Sequence, residues 1–344
     1  MILKKKTLFG VLGILVVLFI LGISGFSYIR STTNNISSNH SAQDEKRIAE
    51  GKPISILLLG TDDGALGRKA STTGNTDTME LMTVNPQTKK VTITAIPRDT
   101  LVKVSTNEGP DYVKINAAYA LGGAKLAEKQ VSELLDVPVQ YYALVNMGML
   151  EKVVNAVNGV EVNNPFKFTF EGHTYPKGKQ YLNGTQALGY ARMRYDDPDN
   201  DYGRQKRGQQ ILMNAFEKFQ KTGNLITATK LVNAVKGNIK TDIPLDNFAA
   251  LYNNYVKNLT TIQNYGLRGK NAKISGLDFQ IATSEQINQA SKNIREALGL
   301  KPVNVVNNET KLVNMQTSWN GTTNIDFTLP NTDAYQTVEK TITK

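Results

Sequence analysis

The sequence predicts an α/β domain with a mixed central sheet flanked by helices, preceded by one transmembrane helix. Three observations lead to this fold class. A long uncharged segment lies near the N-terminus, short apolar runs end at Gly, Asn or Pro as strands do, and the segments between them carry apolar residues at helical spacing. Strands that alternate with helices along one chain favour a sheet covered by helices.

The predicted membrane anchor comes first along the chain. Residues 7–29 carry no charge and are long enough to cross a hydrocarbon core of about 30 Å. Three lysines, Lys4 to Lys6, precede this segment and only Arg30 follows it directly, which predicts a cytoplasmic N-terminus and an external remainder. The alternative is a cleaved signal peptide, whose apolar core would be shorter and would end at a small-x-small cleavage site.

The first elements of the main domain are strands. The apolar run 54–60 predicts a buried strand, and the runs 79–84 and 91–96 predict a strand pair because they flank the turn signal Asn85-Pro86. A helix is predicted over 116–135 from its apolar spacing.

The following elements alternate in the same way. A strand is predicted over 137–145 and a helix over 147–157, with a left-handed C-cap at Asn158-Gly159 and a further strand from residue 160. Two more helices are predicted over 185–193 and 202–221, and the stretch 224–298 is predicted as peripheral helices and loops of the same domain. The domain boundaries predicted from these patterns are 1–30 for the cytoplasmic tip and anchor, 31–51 for a polar stalk, 52–298 for the main domain, and 299–344 for a small C-terminal module or partly ordered tail.

Composition restricts the chemistry. The 40 basic and 30 acidic residues leave a net charge of +10, which favours anionic partners such as nucleic acid, phospholipid or phosphorylated glycan. The chain contains no cysteine, which excludes disulfides, thiolate metal sites and a cysteine nucleophile. Its 2 histidines are too few for a zinc site built on several imidazoles.

Aspartates flank a Gly-rich loop that follows the first strand. Asp62 and Asp63 begin the loop, Arg68 lies within it, and Asp77 follows it. Carboxylate oxygens placed in this way suit Mg²⁺ or Mn²⁺, which bind few protein carboxylates and leave positions for phosphate oxygens. The alternative is that these aspartates only cap backbone N–H groups in turns.

Two further segments concentrate arginine. Arg98 and Asp99 follow a predicted strand, where Asp99 would orient Arg98 by paired hydrogen bonds; a surface ion pair is the alternative. The second segment predicts an anion site, because arginine presents planar paired donors that match phosphate. Its basic residues are Arg192, Arg194, Arg204, Lys206 and Arg207.

Taken together, these segments resemble the LytR-CpsA-Psr family of cell-wall glycopolymer transferases. The matching stretches occur in the family's order between about residues 54 and 220, and the N-terminal anchor also fits the family. They are Ile56-Leu-Leu-Leu-Gly-Thr-Asp62, Asn75-Thr-Asp-Thr-Met79, Ala95-Ile-Pro-Arg-Asp99, Lys114-Ile-Asn-Ala-Ala-Tyr119 with Gly122-Gly123, Val157-Asn-Gly-Val-Glu-Val162, Leu182-Asn-Gly-Thr-Gln-Ala-Leu188 with Tyr190-Ala-Arg-Met-Arg194, and Asp201-Tyr-Gly-Arg204.

The resemblance implies a Mg²⁺-dependent (or Mn²⁺-dependent) transferase, with residues 52–298 as its catalytic domain. Such an enzyme moves a glycopolymer from a polyprenyl-pyrophosphate carrier onto peptidoglycan and forms a phosphodiester, while the polyprenyl tail lies in an apolar pocket between sheet and helices. The implied metal ligands are Asp62, Asp63 and Asp77. The implied substrate-binding residues are Arg68, Arg98, Arg192, Arg194, Arg204, Arg207 and Gln209. Arg98 and Asp77 are the implied catalytic residues, together with Asp99 as a base for the acceptor hydroxyl.

One position departs from the family pattern. The family usually has Gln directly after the second Arg of its Arg-x-x-Arg turn, and this chain has Gly208. Glycine in mid-helix costs about 1 kcal/mol relative to alanine and supplies no amide. Either Gln209 takes over the contact or the head group is bound differently.

Three other functions compete with transfer. A non-catalytic module that binds or senses polyprenyl pyrophosphates would need the same arginines, and a pyrophosphatase would use water in place of the sugar acceptor at the same site. Nucleic-acid binding conflicts with the predicted topology, because the basic cluster follows the anchor and lies outside the cytoplasm. We therefore expect a single-pass protein in the cell membrane of a Gram-positive-like envelope, with no nucleic-acid partner.

Overall fold

The structure, a computed structural model, describes residues 42–61, 74–106, 109–146, 148–198, 200–222, 226–227, 230–231, 234, 239–244, 248–256 and 261–330. Within this part of the chain, no helix is both long enough and apolar enough to cross a membrane. The anchor predicted over 7–29 lies outside the described residues. The chain forms two compact units, here termed the first and the second unit. Of the described residues, the first unit holds 42–52 and those between 145 and 256, and the second holds 53–61, 74–144 and 261–330.

Along the described chain, runs of strands separate most of the helices. The helices are α1 (Ala42–Ala49), α2 (Ala117–Leu135), α3 (Gly148–Ala156), α4 (Gly184–Arg192), α5 (Asn200–Thr222), α6 (Phe248–Leu251, continued by a π-helical turn over Tyr252–Val256), α7 (Ser284–Ala297) and α8 (Asn308–Asn314). The strands are β1 (Ile54–Thr61), β2 (Thr76–Asn85), β3 (Lys90–Ala95), β4 (Leu101–Thr106), β5 (Gly109–Lys114), β6 (Tyr141–Asn146), β7 (Val160–Asn164), β8 (Phe168–Phe170), β9 (His173–Tyr175), β10 (Gly178–Leu182), β11 (Ile239–Thr241), β12 (Thr261–Gly266), β13 (Lys270–Ile274) and β14 (Leu277–Ile281).

A mixed central sheet forms the framework of the second unit, which confirms the predicted α/β class. Five strands lie in the order β6-β1-β2-β3-β12. The β1–β2 and β2–β3 pairs are antiparallel, whereas β12 runs parallel to β3. The predicted strand pair around Asn85-Pro86 is thus the β2–β3 hairpin, closed by a turn in which Lys89 adopts a left-handed φ of 57°.

The main core of the second unit lies between this sheet and two helices. Leu57 and Leu59 of β1 and Met79 and Leu81 of β2 alternate along their strands and are almost fully buried, as one face of a pleated sheet requires. They share a hydrophobic cluster with buried residues of α2 and α7, among them Ala127, Val131, Leu134, Ile287 and Ile294.

The long helix α2 is kinked near its start. Gly122 and Gly123 interrupt its helical backbone, and Gly123 has φ 67° and ψ −164°, a conformation that is essentially restricted to glycine. The Gly122-Gly123 pair of the family motif therefore allows the kink in α2.

The prediction of peripheral helices over 224–298 was wrong for residues 261–281, which form β12, β13 and β14. Strand β12 is polar, with the sequence TIQNYG, so neither strand nor helix periodicity identifies it. It becomes a strand because it pairs with β3, far away in the sequence. Strands β13 and β14 build a second small core with β4 and α8, to which Phe279, Leu312, Phe327 and Leu329 contribute.

The first unit contains helices α3 to α6 and two small sheets. Helix α3 ends at Ala156, and Asn158 (φ 58°) and Gly159 (φ 80°) follow in left-handed conformations, which confirms the predicted C-cap. Lys218 of α5 donates from Nζ to the carbonyls of both residues, at 2.6 and 2.9 Å. The described end of the predicted stalk forms α1, which is tied to this unit because Asn254 donates to the carbonyl of Ile48 at 3.0 Å.

Candidate functional site

The residues assigned to the site by sequence fall into two groups. The second unit holds Asp77, Arg98 and Asp99, and the first unit holds Arg192, Arg194, Arg204 and Arg207. Asp62, Asp63 and Arg68 lie outside the described residues, and Gln209 is described only as part of the backbone of α5.

A β-bulge presents Asp77. In the β1–β2 ladder, Gly60 pairs with Thr78 and Thr61 pairs with Thr76, so that the register shifts and Asp77 has no Cα partner. A bulge turns a side chain away from the regular alternation of a strand and is common next to active sites. The side chain of Asp77 is consequently partly exposed although its strand is central in the sheet.

Arg98 reaches this bulge from the neighbouring strand. Ile96 and Pro97 follow β3, and the Nη1 of Arg98 then donates to Oδ1 of Asp77, 21 positions earlier in the chain. The expected partner, Asp99, is also close, since its Oδ2 lies 3.7 Å from Nε of Arg98. At that distance the Arg98–Asp99 contact is an ion pair rather than a hydrogen bond.

Lys114 is a member of this group that the sequence assignment missed. Its Nζ lies 3.0 Å from Oδ1 of Asp99. The four side chains thus alternate in charge, in the order Lys114, Asp99, Arg98, Asp77, and all are between about a fifth and a third exposed. Such half-buried cations interact more strongly with an anion than fully solvated ones, because the local dielectric constant is lower.

Backbone hydrogen bonds explain why three separate motifs meet here. The N–H of Ile115 donates to the carbonyl of Thr100 at 2.8 Å, and that of Asn116 donates to the carbonyl of Arg98 at 3.2 Å. The N–H of Thr76 then donates to the carbonyl of Asn116 at 3.4 Å. The sequence feature that could have identified Lys114 is its place in the family motif Lys114-Ile-Asn. This segment runs beside the motifs that contain Asp77 and Arg98.

The donor chemistry of Asp77 fits a hard cation such as Mg²⁺, since it is a partly exposed carboxylate beside a proposed phosphate-binding arginine. Asp77 is the one predicted metal ligand that the structure describes. Among the described residues, no group of three or more His, Cys, Asp or Glu side chains is arranged to hold a metal ion. The remaining predicted ligands, Asp62 and Asp63, lie outside those residues.

In the first unit, Arg192 and Arg194 lie at the end of α4. Arg192 is the last residue of the helix, and its Nη1 donates to Oε1 of Glu171 at 2.7 Å. The guanidinium of Arg194 lies 5.7 Å from the ring centre of Tyr195, which is 85% exposed. Arg204 follows in α5 with a partly exposed side chain.

Arg207 differs from the other arginines because it is 3% exposed. Its Nε donates to the carbonyl of Tyr190 at 2.8 Å, its Nη2 donates to the carbonyl of Met193, and its Nη1 pairs with the buried carboxylate of Asp197. These contacts use all three guanidinium nitrogens to hold the α4–α5 connection. The surroundings of Arg207 thus favour a structural role over the direct substrate contact expected from the sequence.

Aromatic rings complete the surroundings of Arg207. The rings of Phe168 and Tyr190 lie 5.6 and 5.8 Å from the guanidinium carbon. Burial raises the pKa of Tyr190 to about 12, so this phenol stays neutral at physiological pH. In the Tyr190-Ala-Arg-Met-Arg194 motif, Tyr190 and Met193 therefore face Arg207, whereas Arg192 and Arg194 remain partly exposed.

Two glycines of α5 have opposite surroundings. A Cβ on Gly203 would overlap the carboxylate of Asp197, so only glycine allows the helix to approach the Asp197–Arg207 pair. At Gly208, a Cβ would meet no atom within 4 Å. The backbone at position 208 therefore has room for a Cβ.

Comparisons with known proteins place the chain in a family. A protein-family model described as the LytR_cpsA_psr family matches residues 23–296. The chain is 39% identical to "Biofilm regulatory protein A" of Streptococcus mutans over 291 residues, which cover 81% of this chain and 72% of that protein. It is 33% identical to the "Polyisoprenyl-teichoic acid--peptidoglycan teichoic acid transferase TagU" of Bacillus subtilis, over 86% of this chain and 97% of the relative.

A solved structure shares the fold. The crystal structure of protein gbs0355 from Streptococcus agalactiae is 36% identical, with a TM-score of 0.67, and the match covers 77% of this chain and 96% of that one. The family match spans well over half of the chain, and the relatives align over most of their length. The chain therefore belongs to the LytR_cpsA_psr family.

Proposed function

We propose that this protein is a membrane-anchored, extracytoplasmic transferase that moves a glycopolymer from a polyprenyl-pyrophosphate carrier to peptidoglycan. The name of the Bacillus subtilis relative describes such a transfer of teichoic acid from a polyisoprenyl carrier. The observation that carries the proposal is the half-buried cluster of Arg98, Asp77, Asp99 and Lys114, in which two cations and a candidate metal ligand meet beside a β-bulge.

The proposed reaction is a displacement at phosphorus. The oxygen of a peptidoglycan hydroxyl attacks the phosphorus nearest the glycan, the bond from that phosphorus to the bridging oxygen breaks, and polyprenyl phosphate leaves with the bonding electrons. The hydroxyl proton passes to a carboxylate, for which Asp99 is the proposed acceptor. Because charge spreads over the phosphoryl oxygens, positioned cations supply most of the rate enhancement.

Arg98 is the proposed catalytic donor to these oxygens, and Asp77 keeps it oriented. Asp77, with Asp62 or Asp63, would hold Mg²⁺, which when bound neutralises phosphoryl charge. Pyrophosphate oxygens are also the proposed ligands of the arginines assigned by resemblance, which are Arg68, Arg192, Arg194 and Arg204.

Transfer by the full-length protein in detergent micelles or nanodiscs tests the proposal. A labelled lipid-linked glycan, peptidoglycan oligomers and Mg²⁺ are expected to yield labelled peptidoglycan, and Arg98→Ala is expected to lower kcat/KM by about 100-fold or more. Arg268→Ala is the matched control, because Arg268 is an exposed arginine of the same unit. An Arg98→Ala enzyme as active as the Arg268→Ala enzyme would refute the role of this cluster.

Gly208 favours a second candidate, a module that binds or senses polyprenyl pyrophosphates without turnover. Helix α5 lacks the glutamine side chain that the family pattern places at this position, so the proposed contacts to the lipid head group differ from that pattern. Measurable binding of the lipid without any transfer product would support this module. Release of polyprenyl phosphate without an acceptor would instead identify a pyrophosphatase at the same site.

The proposed location is the cell membrane, with the N-terminus in the cytoplasm and the C-terminal domain outside. Reporter fusions at the C-terminus test this orientation. A reporter enzyme that works only in the cytoplasm is expected to be inactive when it is fused at Lys344. Activity of this reporter would contradict the proposed orientation.

A further inference from the structure

The β8–β9 hairpin reverses direction at Glu171 and Gly172. Phe170 and His173 pair on either side, and the two turn residues have φ values of 49° and 76°. Turns with positive φ at both central positions favour Asn or Asp followed by Gly, because other side chains are strained in this backbone conformation. Gly172 suits the turn, whereas Glu171 does not. A residue that conflicts with its local backbone indicates a role for its side chain.

The carboxylate of Glu171 lies against the last turn of α4. Its Oε1 accepts from Nη1 of Arg192 at 2.7 Å, and its Oε2 lies 3.6 Å from the position that a Cβ on Gly189 would take. The side chain of Arg192 is 14% exposed, and that of Glu171, which lies at an exposed turn, is 32% exposed. The arginine of this contact is thus better shielded than the cation of an ordinary surface ion pair, which is mobile and contributes little.

The hairpin itself is held on α4. The hydroxyl of Tyr175 donates to the carbonyl of Gln186 at 2.9 Å, and its ring stacks on Phe168 with 4.7 Å between centres. Burial, and after it the charge of Glu171, raises the pKa of Tyr175 to about 12, so this hydroxyl remains a donor. The backbone that carries Glu171 is therefore fixed relative to the helix that ends at Arg192.

Fixing one nitrogen of a guanidinium orients the whole group, because the group is planar. An arginine at a helix end would otherwise sample many rotamers, and ordering it upon binding would cost entropy. Preorganised donors contribute most where charge develops during the reaction. The contact with Glu171 orients Arg192 in this way before any ligand arrives.

We propose that Glu171 is a positioning residue, which orients Arg192 toward the diphosphate of the lipid-linked donor. This inference rests on the proposed function, because it takes Arg192 to be a ligand of that diphosphate. Glu171 acts through Arg192 and does not itself touch the substrate. Its effect falls on turnover more than on donor affinity, since its negative charge weakens the attraction for an anion while the fixed geometry favours the transition state.

The test uses the full-length protein in the transfer assay, with Glu171→Asn as the main variant. Asparagine suits the turn but is too short to hold Arg192, so the variant is expected to melt at or above the wild-type temperature. Its kcat is expected to fall about tenfold, while KM for the lipid-linked donor changes by less than about threefold. Glu171→Gln keeps an oxygen acceptor of the same reach and is expected to recover much of the lost kcat.

Two comparisons isolate the contact. Glu161→Asn removes a carboxylate that pairs with Lys179 at 3.5 Å in an exposed position of the same unit, and it is expected to leave kcat unchanged. In an Arg192→Ala background, Glu171→Asn is expected to have no further effect, because the residue through which it acts is gone.

Three results would overturn the inference. They are a wild-type kcat for Glu171→Asn, an equal loss from Glu171→Asn with and without Arg192, and a Glu171→Gln enzyme as slow as Glu171→Asn. If Arg192→Ala itself transfers glycan at the wild-type rate, the proposed role of Arg192 fails as well. A loss in Arg192→Ala without one in Glu171→Asn leaves the proposed function intact and rejects the positioning role alone.

Discussion

Replacing Arg207 by methionine tests whether this arginine holds the fold or binds the substrate. Methionine is of similar length and apolar, so Arg207→Met removes three donors while filling most of the space. It leaves the buried Asp197 carboxylate without its cation and deprives the carbonyls of Tyr190 and Met193 of their side-chain donor.

The magnitude follows from these lost contacts. Removing one partner of a buried ion pair costs about 3–5 kcal/mol, because the other charge stays buried without compensation. The two carbonyls add to this cost, although partial entry of water lowers it. We therefore expect the free energy of unfolding to fall by about 4 kcal/mol in Arg207→Met. The double variant Arg207→Met/Asp197→Asn is expected to be more stable than Arg207→Met alone, since it removes the unpaired charge.

Urea unfolding followed by far-UV circular dichroism measures this loss, and hydrogen exchange locates it in α4 and α5. Binding of a short polyisoprenyl diphosphate to the folded fraction is expected to weaken much less than in Arg98→Ala. A loss of stability below about 1 kcal/mol, combined with a loss of diphosphate binding, would refute the structural role. Arg207 would then bind substrate, as the sequence pattern indicated.

Three further predictions concern α5 and the central sheet. Gly203→Ala is expected to destabilise the protein by about 1–3 kcal/mol in urea unfolding, because its methyl group displaces the carboxylate of Asp197. Gly208→Gln is expected to raise stability by somewhat less than about 1 kcal/mol, since a Cβ there meets no atom within 4 Å and glycine is a poor helix former. It is also expected to strengthen diphosphate binding in calorimetry, because it restores the amide of the family pattern; weaker binding would contradict this. Burial raises the pKa of Glu80 from 4.5 to about 7, so the folded protein holds this proton more tightly than the unfolded chain does. The stability from Glu80 is thus fully present below about pH 4.5 and is lost as pH rises through 7, by about 3 kcal/mol in all. In pH-dependent unfolding, Glu80→Gln should lack this decline and Glu161→Gln should keep it; a decline of the same size in Glu80→Gln would show that another group causes it.

Local patterns in the sequence predicted the elements with strong periodicity. The strand β1, the β2–β3 hairpin and the helix α2 lie within a few residues of their predicted bounds. In each case the apolar spacing or turn residues needed for the element lie inside the element itself. Strand β12 was missed because its partner is β3, and no pattern within a six-residue polar segment encodes a pairing so distant in the chain.

The same distinction applies to the candidate site. The sequence indicated that Arg98 needs a carboxylate partner and pointed to its neighbour Asp99. The structure adds Asp77 as the hydrogen-bonding partner, because antiparallel pairing brings the end of β3 beside the bulge of β2. Lys114 joins the group through hydrogen bonds of the segment that follows it, which no local pattern predicts.

The sequence by itself determined the chemistry that this protein carries, namely an excess of basic charge, clustered arginines, aspartates around a Gly-rich loop and neither cysteine nor abundant histidine. Only the tertiary structure decided how exposed each described arginine is and what it contacts. Arg204 and Arg207 are three positions apart on one helix and have the same side chain, yet one is partly exposed and the other is buried against Asp197. The reason is that burial depends on what packs against a helix face, and those neighbours come from other parts of the chain.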